Sequence, residues 1–200
     1  MNTDLKLEEI EYKPLSVREI LRRMKDLSSL MVDLAYFAYI NENREIADLV
    51  MALEKEVDKL VYLLYMNATL SARDKEDAEF SAAIIKIGSA LNEFANAAAD
   101  IAGLIRINIP PHRYIKEAFE KAEEIVDDIL VSSESTLVGK RISDLESMGL
   151  YIDIIALKRQ DKWILSPSAQ FTIQPNDILI VRGNVDTIEK LIEVCRCERA

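Results

Sequence analysis

The segment Asp177-Ile-Leu-Ile-Val-Arg-Gly183 decides how the chain is divided, because its continuous apolar run is typical of a buried strand. A similar segment, Tyr151-Ile-Asp-Ile-Ile-Ala-Leu-Lys158, precedes it and predicts a central strand. A turn at Gln160–Lys162 would lead into a returning strand at Trp163–Leu165. These signals differ from the helical pattern of the earlier residues, so the sequence predicts a small mixed α/β domain at 134–197.

Shorter elements are predicted around these strands from turn residues and capping patterns. They are a short strand at Thr136–Val138, a short helix at Arg141–Ser147, an extended piece at Phe171–Ile173, and a closing helix capped by Asp186.

Upstream of residue 134, apolar residues recur every three or four positions, which predicts amphipathic helices. Four series follow this period: Val17 to Ala38, Ile46 to Leu64, Phe80 to Ile105, and Ile115 to Ile129. Ser16 is the expected cap of the first helix, and Ser71 or Asp74 of the third. Short links make neighbouring helices antiparallel, so the expected fold class is α+β, with a helical bundle at 15–131 after an N-terminal tail at 1–14.

Composition and charge limit the class of protein. The chain has 200 residues, 50% of them hydrophobic, and a net charge of −10. No run reaches the roughly 18 apolar residues of a membrane span, and the acidic start lacks a signal peptide, so we expect a cytoplasmic protein. The negative charge disfavours nucleic acid as a partner. Residues 1–133 hold 16 Lys and Arg against 25 Asp and Glu, whereas 134–200 hold 9 against 10, which favours two unlike domains.

Catalytic motifs are missing from the sequence. It contains no Walker loop, no Gly-x-Gly-x-x-Gly turn and no zinc-spaced Cys/His set, and its one histidine, His112, follows two prolines. We therefore expect no enzymatic activity. Cys195 and Cys197 are interpreted as reduced and incidental.

Acidic and amide side chains on two predicted helices are the candidate metal ligands. Glu54 and Asp58 are four residues apart on one helix, and Asn92, Asn96 and Asp100 follow the same step on the next. Glu54, Asp58 and Asp100 are thus candidate ligands of a divalent metal, although a solvated acidic face explains the same pattern.

The helical part resembles PhoU-like phosphate-transport regulators. The resemblance rests on the stretch Ala52–Leu63, ALEKEVDKLVYL, and on Leu91-Asn-Glu-Phe-Ala-Asn96 followed by Asp100-Ile-Ala. It covers one repeat where typical members have two. Asn92 and Asn96 replace acids that serve as metal ligands in that family.

The last third resembles the TrkA C-terminal domain, also called RCK-C. The resemblance rests on five segments: Leu137–Leu145, Ile154–Arg159, Ser166-Pro167, Pro175–Gly183 and Ile188–Leu191. It implies a ligand-sensing domain that usually dimerises and serves a membrane cation channel or transporter, most often for potassium.

The ligand of such a domain is expected beside the predicted central strand. The candidate residues are Ile154, Ile155, Lys158, Arg159 and Ser166, whose basic pair could meet the phosphates of a cyclic dinucleotide. The first hypothesis is a homodimeric regulatory subunit that reaches the membrane only through a transporter partner. The alternative is a metal-binding PhoU-type adaptor in phosphate transport.

Overall fold

The computed structural model describes residues 15–120 and 122–196. Contacts between Cα atoms divide the chain into two compact units that meet at Pro111 and His112, earlier than the boundary at residues 131–134 expected from composition. The predicted tail at 1–14 and Cys197 lie outside the described residues. In the described part of the chain, no helix is long and apolar enough to cross a membrane.

The first unit contains three long helices: α1 Val17–Ile40, α2 Arg44–Ser71 and α3 Lys75–Arg106. Each begins where a polar side chain accepts a hydrogen bond from a backbone N–H three residues later: Ser16 for α1, Asn43 for α2 and Asp74 for α3. The first three of the four predicted helices and the caps at Ser16 and Asp74 are therefore confirmed. The three helices contact one another pairwise and form a bundle.

In the bundle core, α1 and α2 bury mostly large apolar residues, whereas α3 buries mainly small ones. The fully buried side chains include Met24, Leu34 and Leu64. The buried positions of α3 are Ser81, Gly88, Ala95, Ala98, Ala99, Ala102 and Ile105. The predicted core seam of α3 is wrong at its largest residues, because Phe80, Ile87 and Phe94 are exposed.

The second unit contains a four-stranded sheet and two further helices among the described residues. Its elements are α4 Arg113–Glu120, β1 Glu124–Leu130, β2 Ile152–Arg159, β3 Lys162–Leu165, β4 Ile178–Asn184 and α5 Val185–Arg196. The strand order is β1-β4-β2-β3, and every pairing is antiparallel. The strands predicted at 151–158, 163–165 and 177–181 are confirmed, with β2 and β4 at the centre.

The predicted fourth helix is wrong over its second half. It continues only to Glu120 as α4, and the residues from Glu124 form strand β1, which pairs with β4 along its whole length. Ile125 and Ile129 are four residues apart, so they fit the period of a helix and the alternation of a strand equally well. Pairing with β4 decides between the two.

Three smaller predictions need correction. Thr136–Val138 is a turn rather than a strand, and the backbone of the next residue, Gly139, bonds to Ile173. The short helix at Arg141–Ser147 is a pair of 3₁₀ turns at Ile142–Asp144 and Glu146–Met148. Helix α5 begins one residue before Asp186, and the Asn184 side chain accepts the Asp186 N–H.

Helix α5 and the 131–150 segment cover one face of the sheet and bury its core. The main members of this core are Ile129, Val131, Leu137, Leu145, Leu150, Ile154, Leu157, Ile173, Leu179, Val181, Ile188, Leu191 and Cys195. Burial of this apolar set, at about 25 cal/mol per Å², is the main force that holds the domain together.

Candidate functional site

The sheet has a core face and an opposite face, and their residues follow from the strand register. Leu179 and Val181 of β4 point into the core, together with their partners Leu157 and Ile154 of β2. A register shift between Ile154 and Ala156 inserts a bulge into β2. The bulge reverses the alternation along β2, so residues on either side of it can share one face.

The face opposite the core carries basic and aromatic side chains on an apolar floor. Its members on the three neighbouring strands are Ile178, Ile180 and Arg182 of β4, Asp153, Ala156 and Lys158 of β2, and Trp163 and Leu165 of β3. Lys158 Nζ lies 5.9 Å from the centre of the Trp163 ring, which is a cation–π contact. Arg182 Nη2 donates to Asp153 Oδ2 at 2.9 Å. We refer to these eight residues as the outer sheet face.

The five predicted ligand residues do not line one surface. Ile154 is buried in the core, and Ile155 is buried at the bulge. Lys158 lies on the outer sheet face, whereas Arg159 points to the opposite side, because successive residues of a strand alternate. Ser166 is exposed at the end of β3, and its N–H donates to the Ile155 carbonyl at 2.9 Å. Ligand binding by these five residues stays a prediction.

Arg159 is held inside the domain by several contacts. Its Nη2 donates to the Thr172 carbonyl at 2.9 Å, and its guanidinium lies 4.7 Å from the centre of the Phe171 ring. Its Nε and Nη2 also donate to the buried Asp177 carboxylate. The hydrogen bonds to Asp177, together with its negative charge, raise the pKa of Arg159 against an opposing effect of burial. The structure therefore gives Arg159 a clear role in folding.

The predicted metal ligands Glu54 and Asp58 lie on α2, and Asp100 lies on α3. Burial raises the pKa of Glu54, and the negative charges of Asp58 and Asp100 raise it further, against an opposing effect of Lys55. Burial also raises the pKa of Asp58, although a hydrogen bond from the Asn92 side chain lowers it in part. Both shifts act against the charged form of these two carboxyl groups.

The donor set is too small for a metal site as it stands. Among residues 15–120 and 122–196, no group of three or more His, Cys, Asp or Glu is arranged to hold a metal ion. The buried Oδ1 of Asn92 has no hydrogen-bond partner among those residues, but one amide oxygen does not complete a hard-cation site that needs about six oxygens. The residues present do not fit the metal that the PhoU resemblance implies.

Trp163 and Arg182 are two members of the outer sheet face that were not among the predicted ligand residues. Trp163 is the only tryptophan of the chain, and it aligns with Lys158 once β2 and β3 are paired. Arg182 lies in β4 after the apolar run at 178–181. It pairs with Asp153, so it lies toward the opposite end of β2 from Lys158 and Trp163.

The fold defines a two-domain protein, with a helical bundle followed by a small sheet domain. Residues 21–105 match the family model described as the PhoU domain, and residues 128–196 match the one described as the TrkA-C domain. The chain thus consists of a PhoU domain followed by a TrkA-C domain. Both resemblances expected from the sequence are confirmed.

A curated relative matches part of the chain. It is the "Ammonium/H(+) antiporter subunit AmhM" of Alkalihalophilus pseudofirmus, 25% identical over 79 residues, which are 39% of this chain and 47% of the relative. The chain therefore spans less than half of that protein's length.

Two solved structures are similar to the chain. The RCK C domain of the potassium transport protein KtrA in complex with cyclic diadenosine monophosphate is 26% identical, covers 38% of this chain and 87% of its own, and has a TM-score of 0.32. S. agalactiae BusR in complex with its busA-promotor DNA is 20% identical, covers 68% and 65%, and has a TM-score of 0.32. The exclusion of nucleic acid stays a prediction from charge alone.

Proposed function

We propose that this chain is a non-enzymatic, cytoplasmic regulatory subunit of a membrane cation transporter, with potassium as the leading candidate cation. The observation that carries the proposal is the TrkA-C match at residues 128–196, over which β2, β3, β4, α5 and the last three residues of β1 form a sheet domain with its own core. The name of the A. pseudofirmus relative, an antiporter subunit, supports a role beside a cation carrier. Regulation then requires a ligand that binds one arrangement of the protein more tightly than another.

The outer sheet face is the proposed ligand surface, and a cyclic dinucleotide is the ligand class to test first. Lys158 supplies a cation for phosphate oxygens, Trp163 supplies a ring on which a base could stack, and Arg182 lies two strands away from Trp163. Arg159, one of the five predicted ligand residues, is not part of the proposed ligand surface, because its guanidinium already binds Asp177.

The test is binding of cyclic di-AMP to the full chain, followed by calorimetry and thermal unfolding. Ligand at about 100 times its dissociation constant adds roughly 2.7 kcal/mol to the free energy of unfolding, which shifts Tm by several degrees. We expect Lys158→Ala to weaken binding about tenfold and Lys140→Ala, an exposed lysine outside the face, to leave it unchanged. Cyclic di-GMP, ATP, Ca²⁺, Mn²⁺ and phosphate serve as competing probes.

Transport is measured separately, as rubidium uptake by cells that express a cation transporter from the same genome with or without this chain. A change in uptake that depends on the chain supports the regulatory role. Unchanged uptake with every such transporter, together with no binding of any probe, would overturn it.

The second candidate is a metal-binding adaptor in phosphate transport, which the PhoU match at 21–105 favours. It requires Glu54, Asp58 and Asp100 to gain ligands that the described residues do not supply. Elemental analysis of protein purified without chelator distinguishes the two. Stoichiometric iron, zinc or manganese that is lost in Glu54→Gln would favour the adaptor.

A further inference from the structure

Helix α3 exposes both of its phenylalanines and one of its isoleucines. Phe80, Ile87 and Phe94 have exposed fractions of 73%, 53% and 61%, although they continue the apolar period of the helix. Its buried side, by contrast, consists mostly of alanine, glycine and serine. These large apolar side chains contribute no burial energy unless another surface covers them.

The exposed residues follow a strict seven-residue repeat. Phe80, Ile87 and Phe94 are seven residues apart, and the exposed alanines Ala83, Ala90 and Ala97 follow each of them by three positions. Large and small residues therefore alternate along one stripe, about 25 Å long at 1.5 Å per residue. A repeat of seven is the pattern by which one helix packs lengthwise against another.

We propose that this stripe, residues 80–97 of α3, is the contact between two copies of this chain, with the two α3 helices antiparallel. When the two-fold axis of the pair passes between Gly88 and Ser89, each large residue of the stripe lies opposite an alanine of the second copy. Phe80 then lies opposite Ala97, Ile87 opposite Ala90, and Phe94 opposite Ala83. The two-fold axis repeats each of these three contacts, so the interface has six layers, and each layer holds one large residue and one alanine.

A parallel pair would not fill the stripe as well. It would place Phe80 against Phe80 of the second copy and Ala83 against Ala83, so that crowded layers would alternate with empty ones. The spacing of large and small residues thus selects the antiparallel arrangement and a second copy of the same helix.

The charges beside the stripe agree with the same register. Lys86 and Glu93 are exposed and flank the stripe on one side. In the antiparallel pair, Lys86 lies beside Glu93 of the second copy, and the two-fold axis makes this ion pair twice. Glu79 comes near Asp100 of the second copy, but Glu79 already forms an ion pair with Lys75 of its own helix at 3.5 Å. The stripe is therefore flanked by complementary charges at its centre.

Charge reversal in the full chain tests this contact by sedimentation velocity at about 0.15 M ionic strength. Lys86→Glu and Glu93→Lys each turn two attractive pairs into two repulsive ones, and we expect each to weaken self-association about tenfold. The double variant exchanges the charges and should restore the wild-type association. Both positions are exposed on a helix, so the monomer fold should not change, which circular dichroism verifies.

Cysteine cross-linking tests the register and separates this contact from any dimer of the sheet domain. In the antiparallel pair, residue 90 and its copy are offset by about 4–5 Å along the axis, whereas residue 83 and its copy are offset by about 16 Å. A short bismaleimide should therefore cross-link Ala90→Cys and not Ala83→Cys, above the background of the wild-type chain.

Three results would overturn the proposal: no cross-link at position 90, equal cross-linking at both positions, or single charge reversals that leave association unchanged. Any of them would assign the stripe to a different molecule or to a parallel pair. None of them depends on ligand binding, so the regulatory function stands or fails on its own measurements.

Discussion

Arg159 at the end of β2 and Asp177 just before β4 form a bidentate ion pair. Arg159 Nε donates to Asp177 Oδ1 at 2.8 Å and Nη2 donates to Oδ2 at 2.8 Å. Asp177 is fully buried, and it also accepts the Gln174 N–H at 2.8 Å. This pair fixes the turn before β4 and therefore the register of the central strands.

Loss of the Asp177 carboxylate should destabilise the sheet domain more than a change at Arg159. Asp177→Asn leaves the partly buried guanidinium without its counter-charge, and we expect a loss of about 2–4 kcal/mol in the free energy of unfolding. Arg159→Lys keeps the charge but loses the forked geometry and the contact with Phe171, so we expect about 1–2 kcal/mol. Urea unfolding measures both. Equal and small losses would mean that the pair contributes little.

Two glycines of α3 should respond in opposite directions to alanine. A Cβ at Gly88 would lie 2.2 Å from Leu64 Cδ2, whereas a Cβ at Gly103 would meet no atom within 4 Å. Gly103→Ala should stabilise the bundle by about 0.5–1 kcal/mol, because alanine favours the helix. Gly88→Ala gains the same propensity but must displace the buried Leu64 side chain, so we expect a net loss of about 1 kcal/mol. Stabilisation by both variants would show that α2 and α3 separate easily at this point.

The raised pKa of Glu54 predicts a pH dependence of stability. Because the folded protein binds this proton more tightly than the unfolded chain, the stabilisation is complete below the ordinary pKa of 4.5 and is lost as the pH rises through the raised value. Glu54→Gln removes the charge that is disfavoured at neutral pH. We expect a gain of less than about 1 kcal/mol at pH 7 and none in acid.

Thermal unfolding of wild type and Glu54→Gln across the acidic range measures this difference. A variant that is less stable than wild type at neutral pH would contradict the sign. Added Mn²⁺ or Zn²⁺ provides a further comparison, since a metal at this carboxyl would stabilise the wild-type chain and not the variant.

Burial makes the Cys195 thiol unreactive in the folded chain. Burial raises its pKa to about 12, and the side chain is fully covered in the core of the sheet domain. In a Cys197→Ser variant, a thiol reagent at pH 8 should therefore modify less than about a tenth of the protein until urea is added. Rapid modification of the folded variant would mean that α5 opens from the sheet.

Local sequence patterns determined the helices of the bundle and the central strands of the sheet. Ser16 and Asp74 begin helices because their side chains satisfy backbone N–H groups within three residues, which is a purely local interaction. The apolar runs at 151–158 and 177–181 could be assigned to strands because a buried strand needs no alternation. The charge difference between the two parts likewise indicated two domains without any structure.

Tertiary structure decided the features that depend on a partner strand or helix. Residues 124–130 satisfy two periods, and only pairing with β4 makes them a strand. A bulge between Ile154 and Ala156 puts Asp153 and Lys158 on the same face of the sheet, although their odd spacing in the sequence predicts opposite faces. The period of apolar residues shows which side of α3 is apolar, but it does not show what covers that side. Burial depends on the elements packed against a helix as well as on the helix itself. Phe80 and Phe94 therefore fit the predicted core pattern and are nevertheless exposed in the structure.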